Sequence, residues 1–179
     1  ERRRYLNRFI SQIDRTYLQA LIRYNAALQE RNKLLKMSPA EDMLLIYDNM
    51  LAASAEVIFT RRKEMIATMQ PLVEQYYALL SEERESIGLE YRSEMEHTPL
   101  LEQLLNARQR DFVNEHTTCG PHRDDMVLSI GDYPLRKFGS QGQQKSFLVA
   151  LKLAEYTILA ERCSERPILL LDDLFDKLD

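Results

Sequence analysis

Between Arg2 and Lys36 there is no Gly or Pro, and apolar residues recur at Leu6, Phe9, Ile13, Tyr17, Leu21, Tyr24 and Leu28. Steps of three and four place them on one face of an α-helix. The spacing predicts a single amphipathic helix, ~50 Å long at the α-helical rise per residue. The segment "MSPAED" then restarts the chain. Ser38 suits an N-cap, Pro39 the first helical position, and Glu41 with Asp42 the positive end of the dipole. A second helix is expected from Pro39 towards Met69. Pro71 either kinks it or opens a third helix running on towards Glu85. Ile87, Leu89 and Tyr91 alternate with polar residues, which predicts a strand. A helix follows from Pro99 to near Glu115. "MVLSI" (126–130) reads as a strand, Gly131-Asp132 as a turn, and "YPLRKF" as the return. A further helix is expected from Gln141 to near Arg162. Ile168 to Leu171 form a short, continuously apolar run, which fits a strand buried on both faces of a parallel sheet.

Charge divides the chain. Residues 1–36 hold nine Lys and Arg against three acids, whereas residues 37–98 hold five against twelve. The net charge of −4 argues against a wholly basic nucleic-acid coat but leaves room for a local basic face. That face is the first helix, with Arg15, Arg23 and Arg31 along it. It suits either the phosphate backbone of DNA or plain solvent. The Tyr/Leu stripe opposite suits helix packing. Hydrophobic residues make up 45% of the 179, enough for one domain, or one lobe with an appendage. Cys119 and Cys163 form no CxxC, and no Cys/His set has metal-ligand spacing, so reduced thiols of a cytosolic protein are expected. There is no signal peptide, and no apolar run reads as long enough to span a membrane. The chain lacks an initiator Met and stops at "DKLD", which suggests an internal fragment of a longer protein.

Two stretches carry candidate chemistry. In "FGSQGQQKS" (138–146), two of the chain's five glycines flank Ser140, just before a well-formed helix. A Ser/Gly loop opening a helix presents unpaired N–H groups and a positive dipole end, which suit an anion such as phosphate. The plain alternative is an ordinary capped helix. In "ILLLDD", Asp172 and Asp173 end a buried strand, where open α/β sheets bind ligands. Successive strand residues point opposite ways, so the two acids need not share a task. One suits Mg²⁺ held through water, the other a water to be oriented or deprotonated. The plain alternative is a strand-ending turn with solvated acids.

The order of these parts (Ser/Gly/Gln loop, helix, connector, four aliphatics, two acids, then "xxDKLD") resembles the ABC-type ATPases: signature motif, helix, Walker B strand and D-loop. Within that superfamily, "CGPHRDDMVLSI", "SQGQQKSFLVALKLAE", "LLLDDLFDKLD" and the opening "RRRYLNRFISQID" resemble the RecF family of bacterial DNA-repair proteins. The resemblance implies an α+β, mostly helical fold: a helical arm, residues 1–98, attached to the signature-bearing part of an ATPase head, residues 99–179. It implies that Ser140, Gln141, Gly142 and Gln143 meet the γ-phosphate of ATP held by the other subunit of a head-to-head dimer. Asp172 would be the Walker B acid supporting Mg²⁺, Asp173 would stand at the catalytic position, and Asp179 would be the D-loop acid. At Asp173 most relatives in the superfamily carry Glu; the shorter side chain implies looser water positioning and slow turnover. The family's function would be ATP-gated DNA binding on gapped DNA, with RecR as partner and RecA loading as outcome. No G-x-x-x-x-G-K-[ST] occurs, so the phosphate-cradling loop is expected before Glu1, and the histidine following the D-loop strand beyond Asp179. The fragment alone should then hydrolyse no ATP and hold no cofactor tightly. His97 and His116 read as surface residues. His122 and Arg123, in "GPHRDD", suit either a polar network with Asp124 and Asp125 that braces the signature loop, or a contact to nucleotide or DNA; the first is preferred. The reading from a different class is a helical partner-binding scaffold without ATPase chemistry.

Overall fold

The computed structural model describes residues 1–37, 41–81, 85–162 and 167–170. In order, the elements are α1 (Arg2–Ile13), α2 (Arg15–Leu35), α3 (Glu41–Ser81), β1 (Ile87–Arg92), a 3₁₀ turn (Glu94–Glu96), α4 (Leu100–Asn114), β2 (Asp125–Ile130), β3 (Tyr133–Pro134), α5 (Leu135–Phe138) and α6 (Gln141–Arg162). The fold is α+β and mostly helical, as expected.

The first helix is not continuous. Asp14 has extended backbone angles, and its side chain accepts a hydrogen bond from the Tyr17 N–H at 3.0 Å. Aspartate competes for backbone donors and favours caps over helix interiors. Here it ends α1 and starts α2, and Arg61 pairs with its other oxygen at 3.0 Å. Pro71 goes the other way. It removes one N–H from the ladder, yet α3 runs through it. Met69, Val73 and Tyr77, on either side, are fully buried, and their packing offsets the ~3 kcal/mol that a helical proline costs.

Two compact units share the chain. Unit one comprises residues 1–63 and 92–125, and unit two residues 64–91 and 126–179. These packing borders fall elsewhere than the 98/99 border expected from motif order. In unit one, Leu6, Phe9, Tyr17, Tyr24, Leu44, Leu51, Ile58, Leu100 and Leu104 form the core. The buried face of α2 is Tyr17, Ala20, Tyr24, Ala27, Arg31 and Leu35, so the tyrosines of the stripe do pack inward.

Unit two packs the end of α3 and α6 with a three-stranded sheet of order β1-β2-β3. The Gly131 N–H donates to the Ser86 carbonyl, and Ile130 pairs with Tyr133 in the antiparallel β2–β3 hairpin. Gly131, at φ 52°, supplies the left-handed residue the two-residue turn needs. The returning strand is only two residues long. Pro134 fixes its own φ and has no N–H to continue a ladder, and Leu135–Phe138 coil into one helical turn instead. Tyr77 meets Phe147 with ring centroids 6.2 Å apart, and Tyr76 Oη lies 2.7 Å from Thr157 Oγ1, tying α3 to α6.

Two further expectations change. Residues 167–170 form no strand, and Ile168 and Leu170 are each 87% exposed. A strand buried on both faces takes its hydrogen bonds and cover from neighbours, and none of the described strands pairs with this run. By length and composition alone, α3 (Asp42–Ser81) is also apolar enough to cross a membrane, contrary to the reading of the sequence. Part of its apolar character packs inward, while Met43, Ile46, Met50 and Leu79 stay exposed. Leu44, Leu51, Ala55, Ile58, Met65, Ile66, Met69 and Val73 line protein cores, and Asp48 and Arg62 on the same helix sit in buried ion pairs.

Candidate functional site

The loop before α6 forms a reciprocal cap. The Gln143 N–H donates to Ser140 Oγ at 3.2 Å, and the Ser140 N–H donates to Gln143 Oε1 at 2.6 Å. This is a capping box written as S-x-x-Q, with Gln144 N–H to Ser140 carbonyl, at 3.0 Å, as the first helical bond. The amides of Gln141 and Gly142 therefore have no acceptor within the helix, and they lie at its positive end. Such a donor set suits an anion's oxygens. Ser140 and Gln141 are exposed, and Gly142 and Gln143 half-buried.

The two glycines are there for different reasons. A Cβ on Gly139 would lie 2.7 Å from the Leu135 carbonyl, so that glycine is required by the close approach of α5, while its backbone angles are ordinary. A Cβ on Gly142 would meet only Ser140 Oγ, at 3.9 Å, an ordinary contact. Nothing among the described residues needs glycine at 142, although glycine in a helix costs ~1 kcal/mol against alanine.

Asp172, Asp173 and Asp179 lie outside the described residues. The motif "GPHRDD" is in unit one, and its residues bond to α2, to α3 and to the Thr117–Thr118 stretch. His122 Nε2 faces the Thr117 carbonyl at 3.1 Å, so it carries the proton, and Nδ1 accepts from the Tyr24 hydroxyl at 2.8 Å. Burial pushes the imidazole below its usual range, with Arg123 and Arg3 adding to that and the Thr117 bond opposing it. The ring is thus a neutral brace between α2 and its own loop. Gly120, at φ 113° and close against the Tyr24 hydroxyl, lets the loop turn there. Asp124 pairs with Arg62 Nη1 at 3.1 Å in a buried site that also takes in the Pro121 carbonyl, Tyr17 Oη and Asn7. Asp125 pairs with Arg2 at the surface at 2.6 Å, and Arg123 is exposed, with the Thr118 carbonyl at 3.4 Å. His97 and His116 are exposed.

The basic face divides. Arg15 and Arg23 are exposed, but Arg31 is completely buried. Its Nε donates to Asp48 Oδ1 at 2.6 Å, and its Nη1 to Asp111 Oδ2 at 2.7 Å and Thr117 Oγ1 at 2.9 Å. Arg108 reaches the other Asp48 oxygen at 2.8 Å, while Thr118 N–H and Oγ1 serve the other Asp111 oxygen. Arg31 is a core ion-pair residue and no phosphate contact. Periodicity counted it among surface charges because helical spacing does not reveal an acid arriving from α3 or α4. The buried Asp48, Asp111 and Arg62 escaped notice for the same reason. Cys119 is also buried, and burial, with Asp111 beside it, pushes its thiol up to about 11, which makes it an inert core thiol.

No family model matches the chain. Curated proteins do. The DNA replication and repair protein RecF of Bacteroides fragilis strain YCH46 is 44% identical over 181 residues, covering 100% of this chain and 49% of that protein. That of Flavobacterium johnsoniae is 40% identical over 183 residues, covering 99% and 51%. A solved structure described as the recombination mediator protein RecF with ATP in the RecFOR pathway superposes with a TM-score of 0.91 at 33% identity. It covers 99% of this chain and 51% of that one. This is RecF-family sequence. The chain spans about half the length of the RecF proteins it matches. The S-Q-G-Q loop and the GPHRDD brace are thus parts of a RecF-type segment.

Proposed function

We propose that this chain is the signature-bearing half of a RecF-type ATP-dependent DNA-binding protein, and that residues 140–143 meet the γ-phosphate of ATP held by a second copy. The single observation that carries the reading is Gly142. It sits in the first turn of α6 with no reason among the described residues to be glycine, beside two backbone donors without helical acceptors. A group from outside the chain that must approach the backbone supplies the missing reason. The described donors fit an anion. The Gln141 and Gly142 amides and the Ser140 hydroxyl would hold it, and the nucleotide's own phosphoanhydride supplies the reactive bond. Asp172 would support Mg²⁺ through water, Asp173 would orient or deprotonate the attacking water, and Asp179 would sit at the dimer contact. On this reading residues 1–98 are the arm and 99–179 the head segment, and sequence outside these 179 residues supplies the phosphate-cradling loop. Solved RecF structures described with ATP and with a thio analogue support nucleotide binding in the complete protein.

The test is the oligomeric state of the complete gene product. Light scattering should report a dimer with Mg-ATP and a monomer without it. A protein that stays monomeric at saturating ATP is the helical scaffold instead. Asp173→Asn removes the proposed base and a negative charge, so its ATP dimers should persist with the nucleotide uncleaved. Dimers that dissociate at the unmodified rate would remove Asp173 from the reaction.

DNA of the recombinational-repair type (gapped duplexes), with RecR as partner and RecA loading as consequence, completes the proposal. If α2 touches phosphates, Arg15→Glu with Arg23→Glu should weaken binding to all sequences and reduce the salt slope by about two. An unchanged salt slope in the complete protein assigns that face to solvent. Arg31 is left out of the test because its charge is spent in the core.

A further inference from the structure

The cap on α6 continues beyond the helix. Gln143 Nε2 donates to Glu85 Oε1 at 2.6 Å, on the residue before Ser86 and β1. Glu85 Oε2 in turn accepts from the Tyr77 hydroxyl at 3.2 Å. Tyr77 is anchored in the core of unit two against Phe147. Burial, and then the Glu85 carboxylate, push its hydroxyl up to about 12, so it remains a donor across the physiological range. The line Tyr77–Glu85–Gln143–Ser140 therefore has a fixed polarity. A carboxylate only accepts, so Glu85 holds the NH₂ end of the Gln143 amide. The carbonyl end is thereby turned onto the Ser140 N–H. An amide oxygen then stands at the helix N-terminus, next to the Gln141 and Gly142 amides.

On the nucleotide-facing reading above, we infer that Glu85 is a positioning residue that latches the Gln143 amide as an acceptor across Ser140, setting an oxygen beside the Gln141 and Gly142 amides and opposing phosphate there until the amide turns over. The turned amide presents its NH₂ to the anion and releases the Ser140 N–H. Glu85 opposes this twice. It holds the NH₂ by a charge-assisted bond, and it keeps a negative charge one side chain away from the arriving phosphate. The device raises the ATP level at which two copies join, and it leaves each copy's own nucleotide site untouched.

The experiment measures the ATP concentration for half-maximal dimerisation of the complete protein by light scattering, with the thermal midpoint of each variant taken without nucleotide. Glu85→Ala frees the amide and should lower that concentration about threefold to tenfold, with the midpoint unchanged. Gln143→Glu preserves the capping box but can only accept, so it should raise the requirement about tenfold. Tyr77→Phe removes a bond to Glu85 without touching Gln143 and should change it less than about twofold. An unchanged ATP requirement in Glu85→Ala, while Gly142→Arg still abolishes dimers, overturns the latch alone. Gly142→Arg dimerising normally overturns the nucleotide-facing loop and the latch with it.

Discussion

Arg31→Ala is expected to destabilise unit one by about 3–5 kcal/mol, because it leaves buried carboxylates without their cation. The guanidinium reaches Asp48 and Asp111 at 2.6 and 2.7 Å, and all three side chains are fully buried. Arg108 remains on Asp48, so the loss falls hardest on Asp111, whose further bonds come from Thr118. Two neutral donors do not replace a cation in a low-dielectric site. Urea denaturation of the chain should show the midpoint moving sharply down. Arg15→Ala, on the exposed face of the same helix, should lie within about 0.5 kcal/mol of the parent. Equal midpoints for the two variants would contradict the burial of Arg31. Replacing Arg31, Asp48 and Asp111 together by apolar residues of similar size should recover much of the loss, since the penalty comes from the orphaned charges.

Gly142→Arg in the complete protein should abolish ATP-dependent dimers while leaving ATP binding by each copy nearly intact. The side chain would leave the first turn of α6 where the Gln141 and Gly142 amides point. Among the described residues, a Cβ there meets only Ser140 Oγ, at 3.9 Å. Folding is therefore spared; a helix former in place of glycine should even favour the helix slightly. The damage is confined to whatever must come close to that backbone. Light scattering with and without Mg-ATP, beside equilibrium ATP binding, separates the two effects. Dimers of normal strength would make "SQGQ" an ordinary capped helix. Gly142→Ala adds only a methyl group and should weaken dimerisation far less.

What the sequence showed was mainly local. The helix start at Ser140, the strand at Ile87, the Gly131 turn and the limits of α4 and α6 depend on neighbours a few residues away, and pattern is enough to find them. The break at Asp14 was missed: an aspartate in an otherwise clean helical stripe is a cap as readily as a surface charge, but the unbroken apolar spacing across it concealed the break. Pro71 went unresolved because packing at Met69 and Val73 decides it, and packing is not a local property. The same holds for Arg31. A basic residue on a helix reads as solvated until the acids of α3 and α4 are in place, 17 and 80 positions away. His122 was singled out for a polar network bracing the signature loop; the hydrogen bonds of its ring go to Tyr24 and Thr117, which the sequence did not point to. Glu85 had no signal at all, since its meaning depends on Gln143, 58 residues on. The roles of Asp172, Asp173 and Asp179 rest on motif order and family likeness alone.

The most direct measurement of the central claim is a structure of the complete protein as a dimer with a non-hydrolysable ATP analogue and Mg²⁺. The account predicts Ser140 Oγ and the Gly142 amide within hydrogen-bonding distance of the γ-phosphate held by the other copy, with the Gln143 NH₂ turned away from Glu85. A nucleotide-bound dimer in which residues 140–143 face solvent, with the Gln143 carbonyl still on the Ser140 N–H, would contradict it.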